Sequence, residues 1–205
     1  ISDPGWLDVL TATIDFGDGA GAQPLSGVLE NVRPNATFTF SVQKQYGDNG
    51  TFVVTVTGFD DDTSTSASRS AVVANVNPTS VINLSGAQEY GGKKAFVINA
   101  GGAVTVPGSA ADPGSDDLTF RWDWADGTTS SQTSLVNPPA TDPLNSPSVQ
   151  PRNVSLQQAH TYLDACLYTL TLTVTDDDSG AASATATVII TGNATLSKGS
   201  GWWLN

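Results

Sequence analysis

The chain has 205 residues, room for two domains of modest size, and only 14% of them are charged. A formal charge of −12 excludes a surface made to hold nucleic-acid phosphates or anionic lipid headgroups, and leaves a cation as the natural electrostatic partner. No apolar run reaches the ~18 residues of a membrane-spanning helix, and the single cysteine, Cys166, can form no intrachain disulfide.

In chain order, Asp3-Pro4-Gly5 precedes an apolar stretch, Trp6–Ile14, which runs into Asp15-Phe16-Gly17-Asp18-Gly19, a tight turn. The opening Ile1-Ser2-Asp3-Pro4 has no signal-peptide pattern and has the look of a fragment cut from something longer. A loose connection follows through Gly27. Phe38, Phe40 and Val42 alternate with polar neighbours and predict a strand over 36–45. Tyr46–Gly50 is a turn cluster, Phe52–Thr57 a β-branched strand, Asp60-Asp61-Asp62 an acidic turn and Ala71–Val76 a closing strand. Asn77-Pro78 marks the boundary of a first unit, residues 1–77.

The second unit, 78–192, opens with short strands expected at 80–84, 95–98 and 103–106. Asp112-Pro113-Gly114 then introduces Leu118-Thr119-Phe120-Arg121-Trp122-Asp123-Trp124, whose aromatic residues alternate toward one face before the turn Asp126-Gly127. Residues 128–153, rich in Ser, Thr, Asn and Pro, are expected to be an inserted surface loop. His160-Thr161-Tyr162, the run Tyr168–Thr175, Asp176-Asp177-Asp178 and Ala184–Ile190 complete the unit. Residues 193–205 are a tail or the start of a next unit, with Trp202-Trp203 in it. Cys166 is expected to be a small buried hydrophobe.

The two units are copies. Tyr46 precedes Phe52 by the same six residues that separate Tyr162 from Tyr168, and Asp60 follows Tyr46 by the same fourteen that separate Asp176 from Tyr162. In both copies Asp-Pro-Gly leads the strand and the Asp-rich turn closes it. The first copy lacks the strand-forming residues that the second has before its Asp-Pro-Gly, so one sheet edge is expected to be uncovered.

The series Asp112–Gly127, His160-Thr161-Tyr162 and Tyr168–Asp176 resembles a PKD (polycystic kidney disease) domain, whose usual turn is Trp-Asp-Phe-Gly-Asp-Gly with a downstream His-Thr-Tyr. Residues 3–77 resemble it more loosely, through Asp15–Gly19, Tyr46 and Phe52–Asp62. Ala125 stands where Gly is usual, so that turn is expected to avoid a φ that only Gly tolerates. The resemblance implies an all-β chain of two tandem immunoglobulin-like β-sandwich modules, the first without its N-terminal strands. It makes Trp122, Tyr168 and Trp124 core aromatics, and it implies a secreted or cell-surface, bacterial parent protein. Five Asn-x-Ser/Thr sequons (Asn35, Asn49, Asn83, Asn153 and Asn193) fit extracellular exposure.

Catalytic groups are scarce. There is one histidine, one cysteine and no Gly-rich phosphate loop. Asp15, Asp18, Asp123 and Asp126 are expected to bond turn amides, and His160 to be a structural hydrogen-bonding residue. Calcium is the sharper candidate, because hard cations need several carboxylate or carbonyl oxygens converging from loops. Some PKD-like domains that accompany bacterial collagenases bind calcium through the Asp-rich loop before the aromatic strand and through the linker. By position that implies Asn77, Asp112 and Asp116 as ligands, with Asp117 next. Asp60–Asp62 and Asp176–Asp178 are alternatives, and Asp3 and Asp8 are weaker ones.

These readings make the chain a non-catalytic extracellular spacer or adhesion module of a larger protein, stabilised by calcium, with a protein or carbohydrate surface as its partner. The alternative is an accessory domain that helps a hydrolase grip collagen or polysaccharide. Trp6, Trp202 and Trp203 are the aromatic residues left over for such a role. The uncovered edge of the first module suggests a strand-swapped dimer.

Overall fold

A computed structural model describes residues 1–136 and 149–192, and the ordered elements among them are all strands. The inner part of the expected loop, 137–148, and the tail 193–205 with Asn193, Trp202 and Trp203 lie outside the described residues.

In the first module β1 (Ser2–Asp3), β2 (Thr11–Asp15), β3 (Gln23–Pro24), β4 (Val28–Val32), β5 (Asn35–Thr39), β6 (Gly50–Phe59) and β7 (Ser64–Val73) pair only with one another. They form the sheets β1-β5-β4 and β3-β2-β6-β7. In the second, β8 (Val81–Ile82), β9 (Gln88–Tyr90), β10 (Lys93–Asn99), β11 (Ala103–Asp112), β12 (Leu118–Asp123), β13 (Thr129–Ser134), β14 (Arg152–Thr161), β15 (Leu167–Thr175) and β16 (Ala181–Thr191) form β14-β11-β8 and β13-β12-β15-β16-β10-β9.

The second module buries Val104 and Val106 from one sheet against Phe120, Trp122, Leu170, Leu172 and Val188 from the other. Alternating β-branched and aromatic residues put one face of each strand inside, so this is a sandwich with a continuous apolar interior. Gly108 on β11 marks a close approach of the two sheets. A Cβ there would come within 2.5 Å of Leu172 and 3.5 Å of Trp122. Trp122 and Trp124 are fully buried as expected. Tyr168 is only half-buried at the margin of that core.

Several local expectations are corrected. The segment 128–153 is not a loop throughout, since Thr129–Ser134 pairs with β12 and Arg152 already begins β14. The closing strand of the first module runs over Ser64–Val73 instead of Ala71–Val76. Both misreadings have one cause. These are hydroxyl-rich edge strands held by backbone ladders and by cross-strand hydroxyl pairs: Thr119 Oγ1 to Thr133 Oγ1 at 2.9 Å, Thr55 Oγ1 to Ser68 Oγ and Thr57 Oγ1 to Ser66 Oγ at 2.8 Å. They carry no apolar period to read. Cys166 is exposed rather than buried, because it sits in the bend before β15 and not within the strand. Ala125 does occupy the left-handed region, with φ +61. The Asp123 carboxylate holds the turn there by accepting from Ala125 N at 3.0 Å.

Candidate cation site at the module junction

The candidate site grows from the end of β11. Asp112 Oδ1 accepts a hydrogen bond from Gly114 N at 2.7 Å, an Asx turn that Pro113 favours by lacking its own N–H. The chain then folds back closely over residue 114, which has no side chain. A Cβ on Gly114 would stand 2.7 Å from both carboxylate oxygens of Asp116. Asp112 and Asp116 are each only 2% exposed.

A second element arrives from the end of β15. Asp176 Oδ1 accepts from Gly180 N at 2.6 Å, and its Oδ2 accepts from Asn75 Nδ2 at 2.8 Å. Gly180 is again a position that a side chain would spoil, since an added Cβ would overlap Asp176 and lie 2.8 Å from Asn75 Nδ2 and Asn77 Oδ1. One oxygen from each of Asp112, Asp116 and Asp176 falls within 4.8 Å of the others. Asp48, Asp116 and Asp178 form a second group by the same measure, sharing Asp116.

The electrostatics are those of like charges gathered out of water. Burial, then Asp112, Asp48, Asp177 and Asp176, push the Asp116 carboxyl up to about 7. Burial also raises Asp112 against the opposing bond from Gly114, with Asp176 and Asp48 adding to it. Asp177 is pushed up to about 6, first by burial and then, against its own backbone amide, by Asp178, Asp117 and Asp48. Asp112 Oδ2 and Asp116 Oδ1 are shielded from solvent and have no hydrogen-bond partner among the described residues. Buried carboxylate oxygens left in that state are costly. A hard cation with six to eight oxygen ligands is the group that satisfies several of them at once.

Of the residues singled out from sequence, Asp112 and Asp116 thus come together, and Asn77 presents its amide oxygen beside Gly180. Asp117 is committed elsewhere, accepting from Val136 N at 2.7 Å. Asp176 and Asp178, kept apart in sequence as a separate acidic turn, join the same site. Nothing in the sequence marks Asp48 as a ligand, because Tyr46–Gly50 carries only turn chemistry. No local pattern tells that this turn is seated against the Asp112 loop, with Gly47 O accepting from Ser115 N at 2.8 Å.

The remaining polar groups have structural duties. Asp15, Asp18, Asp123 and Asp126 each accept from a turn amide, at 2.8, 3.2, 3.0 and 3.0 Å. His160 lies 2.7 Å from Asp126 Oδ2 and stacks on Trp124 with centroids 4.6 Å apart.

A family model described as the PKD domain matches residues 90–190. Among solved structures, the PKD domain of an M14-like peptidase from a Thermoplasmatales archaeon is 16% identical, with TM-score 0.40, and the match covers 57% of this chain and 98% of that one. The C-terminal domain of the Streptococcus pyogenes antigen I/II-family protein AspA is 12% identical with TM-score 0.35, covering 76% of this chain and 58% of that one. No curated protein matches the chain.

Proposed function

The chain belongs to the PKD domain family through residues 90–190, and on that premise we propose that it is a non-catalytic extracellular spacer and adhesion module of a larger secreted or cell-surface protein, stabilised by calcium. Asp112, Asp116 and Asp176 supply the carboxylates and Asn77 stands by as an amide ligand. The observation that carries this reading is the pair of buried carboxylate oxygens, Asp112 Oδ2 and Asp116 Oδ1, which no donor among the described residues satisfies. Calcium fits because the donors are all hard oxygens drawn from loops that can adjust.

The test is thermal unfolding of the whole chain across a calcium titration, with calorimetry alongside. Calcium at a hundred times its Kd should stabilise the second module by about 2.7 kcal/mol, chelation should reverse the gain, and Asp112→Asn should remove it. A wild-type chain that shows neither heat nor stabilisation refutes the site.

A grip on collagen or polysaccharide is the weaker reading. It wants a row of open rings, whereas Trp6 is half-buried with the Arg33 guanidinium 4.2 Å above its centroid. A pulldown on insoluble collagen, chitin and cellulose separates the two. The strand-swapped dimer belongs with this proposal too. A second copy would add its strand along the outer edge of β7, and light scattering that finds only monomer at high concentration removes that element.

A further inference from the structure

The group Asp48, Asp116 and Asp178 draws on both modules, with Asp48 in the turn after Tyr46 and the other two in the second module. This turn and the Asp112 loop face each other across a cleft of about 160 Å³, lined among others by Asp48, Asn75, Gly114 and Asp116. Asp116 is 2% exposed, reaches the cleft and has one oxygen without a hydrogen-bond partner among the described residues.

Resting on the calcium reading above, we propose that Asp48, Asp116 and Asp178 form a second divalent-cation position whose ligands come from both modules, so that calcium locks the first module onto the second. Charge leaves room for a second ion. Asp48, Asp112, Asp116, Asp176 and Asp178 together, ionised, present five negative charges, of which a single divalent ion would offset two. Asp116 belongs to both groups, and a carboxylate can give one oxygen to each of two ions. Asp178 is exposed and Asp48 half-buried, so the second position keeps an open side for the water ligands that calcium accepts. The protein bonds across the junction include Ser115 N to Gly47 O at 2.8 Å and Asn75 Nδ2 to Asp176 Oδ2 at 2.8 Å. Contacts of that kind leave relative module motion as the default. An ion held from both sides removes it.

The experiment is calorimetric titration of the full chain with calcium, paired with small-angle scattering in calcium and in chelator, for the wild type, Asp48→Asn and Asp176→Asn. The wild type should bind about two ions per chain and become more compact in calcium. Asp48→Asn should bind about one ion and lose the compaction while keeping the calcium-dependent thermal gain of the second module. Asp176→Asn should lose that gain. One ion in the wild type, or an unchanged stoichiometry and compaction in Asp48→Asn, overturns the junction position and leaves the calcium reading standing. No binding by the wild type overturns both.

Discussion

In the second module Tyr162 Oη donates to Trp124 O at 3.0 Å, and in the first Tyr46 Oη donates to Phe16 O at 3.1 Å. The residue two before each tyrosine meets the acid of the turn: His160 with Asp126, and Lys44 with Asp18. Each also covers the ring of that turn, His160 over Trp124 at 4.6 Å and Lys44 over Phe16 at 5.3 Å. The acid loops match as well. Asp3 accepts from Gly5 N as Asp112 does from Gly114 N, and a Cβ on Gly5 would overlap the Asp8 carboxylate as one on Gly114 would crowd Asp116.

What differs is cover. In the second module β10 pairs in parallel with β16, Ala95 opposite Thr187 through Asn99 opposite Thr191, and β11 lies along the whole of β14. In the first, among the described residues, the outer edge of β7 has no such partner, most of β7 is exposed, and only the two residues of β1 stand where the end of β11 would be. The consequence reaches the acids. Asp116 is buried among its neighbours, whereas Asp8 is half-buried and is raised first by its hydrogen bond to Asp3. The comparison teaches that the turn, the tyrosine and the acid loop repeat as a local unit, while burial of that unit depends on the strands laid over it.

The largest test of this is a matched pair of core truncations. Trp122→Ala should cost the second module about 3–5 kcal/mol, and Ile14→Ala, its buried counterpart in the first module, about 2 kcal/mol. Denaturant unfolding followed by tryptophan fluorescence and circular dichroism reads both, and equal losses would break the comparison.

A smaller pair should change sign between modules. Gly17 and Ala125 take the same left-handed conformation, at φ +72 and +61. Ala125→Gly relieves a strained residue and should stabilise by about 0.5–1 kcal/mol after the added freedom of the unfolded chain. Gly17→Ala should destabilise by more than about 1 kcal/mol, because a Cβ there meets Val53 O at 2.7 Å and Val53 N at 2.8 Å.

The smallest effect is in acid. The Lys44 ammonium, working against burial and helped by Ala20 N, holds the Asp18 carboxyl below its ordinary 3.8. A depressed carboxyl stabilises the fold above that ordinary value and loses the contribution as pH falls through the lowered one. Lys44→Met should therefore move the acid loss of the first module to higher pH and remove about 0.5–1 kcal/mol near neutrality. An unmoved Asp18 titration by NMR would dissociate the pair from stability.

Much of the molecule is written locally. The all-β class follows from two-residue alternation around Phe120, Trp122 and Trp124. The turn bonds of Asp15 and Asp123 follow from Asx chemistry, and the duplication follows from the spacing of Tyr46 and Tyr162 to their acids. The Asp112 loop could be picked out for the same reason, since Asp-Pro-Gly followed by further acids is a contiguous signal. The edge strands at Thr129–Ser134 and Ser64–Val73 and the exposure of Cys166 could not, because backbone ladders and neighbouring strands set them rather than any side-chain period. Nor does anything around Asp48 or Asp176 announce that each comes near Asp116. Asp176 comes there through packing within the second module and Asp48 through the seating of the first module against it, and contacts between distant parts of a chain exist only once both parts have folded.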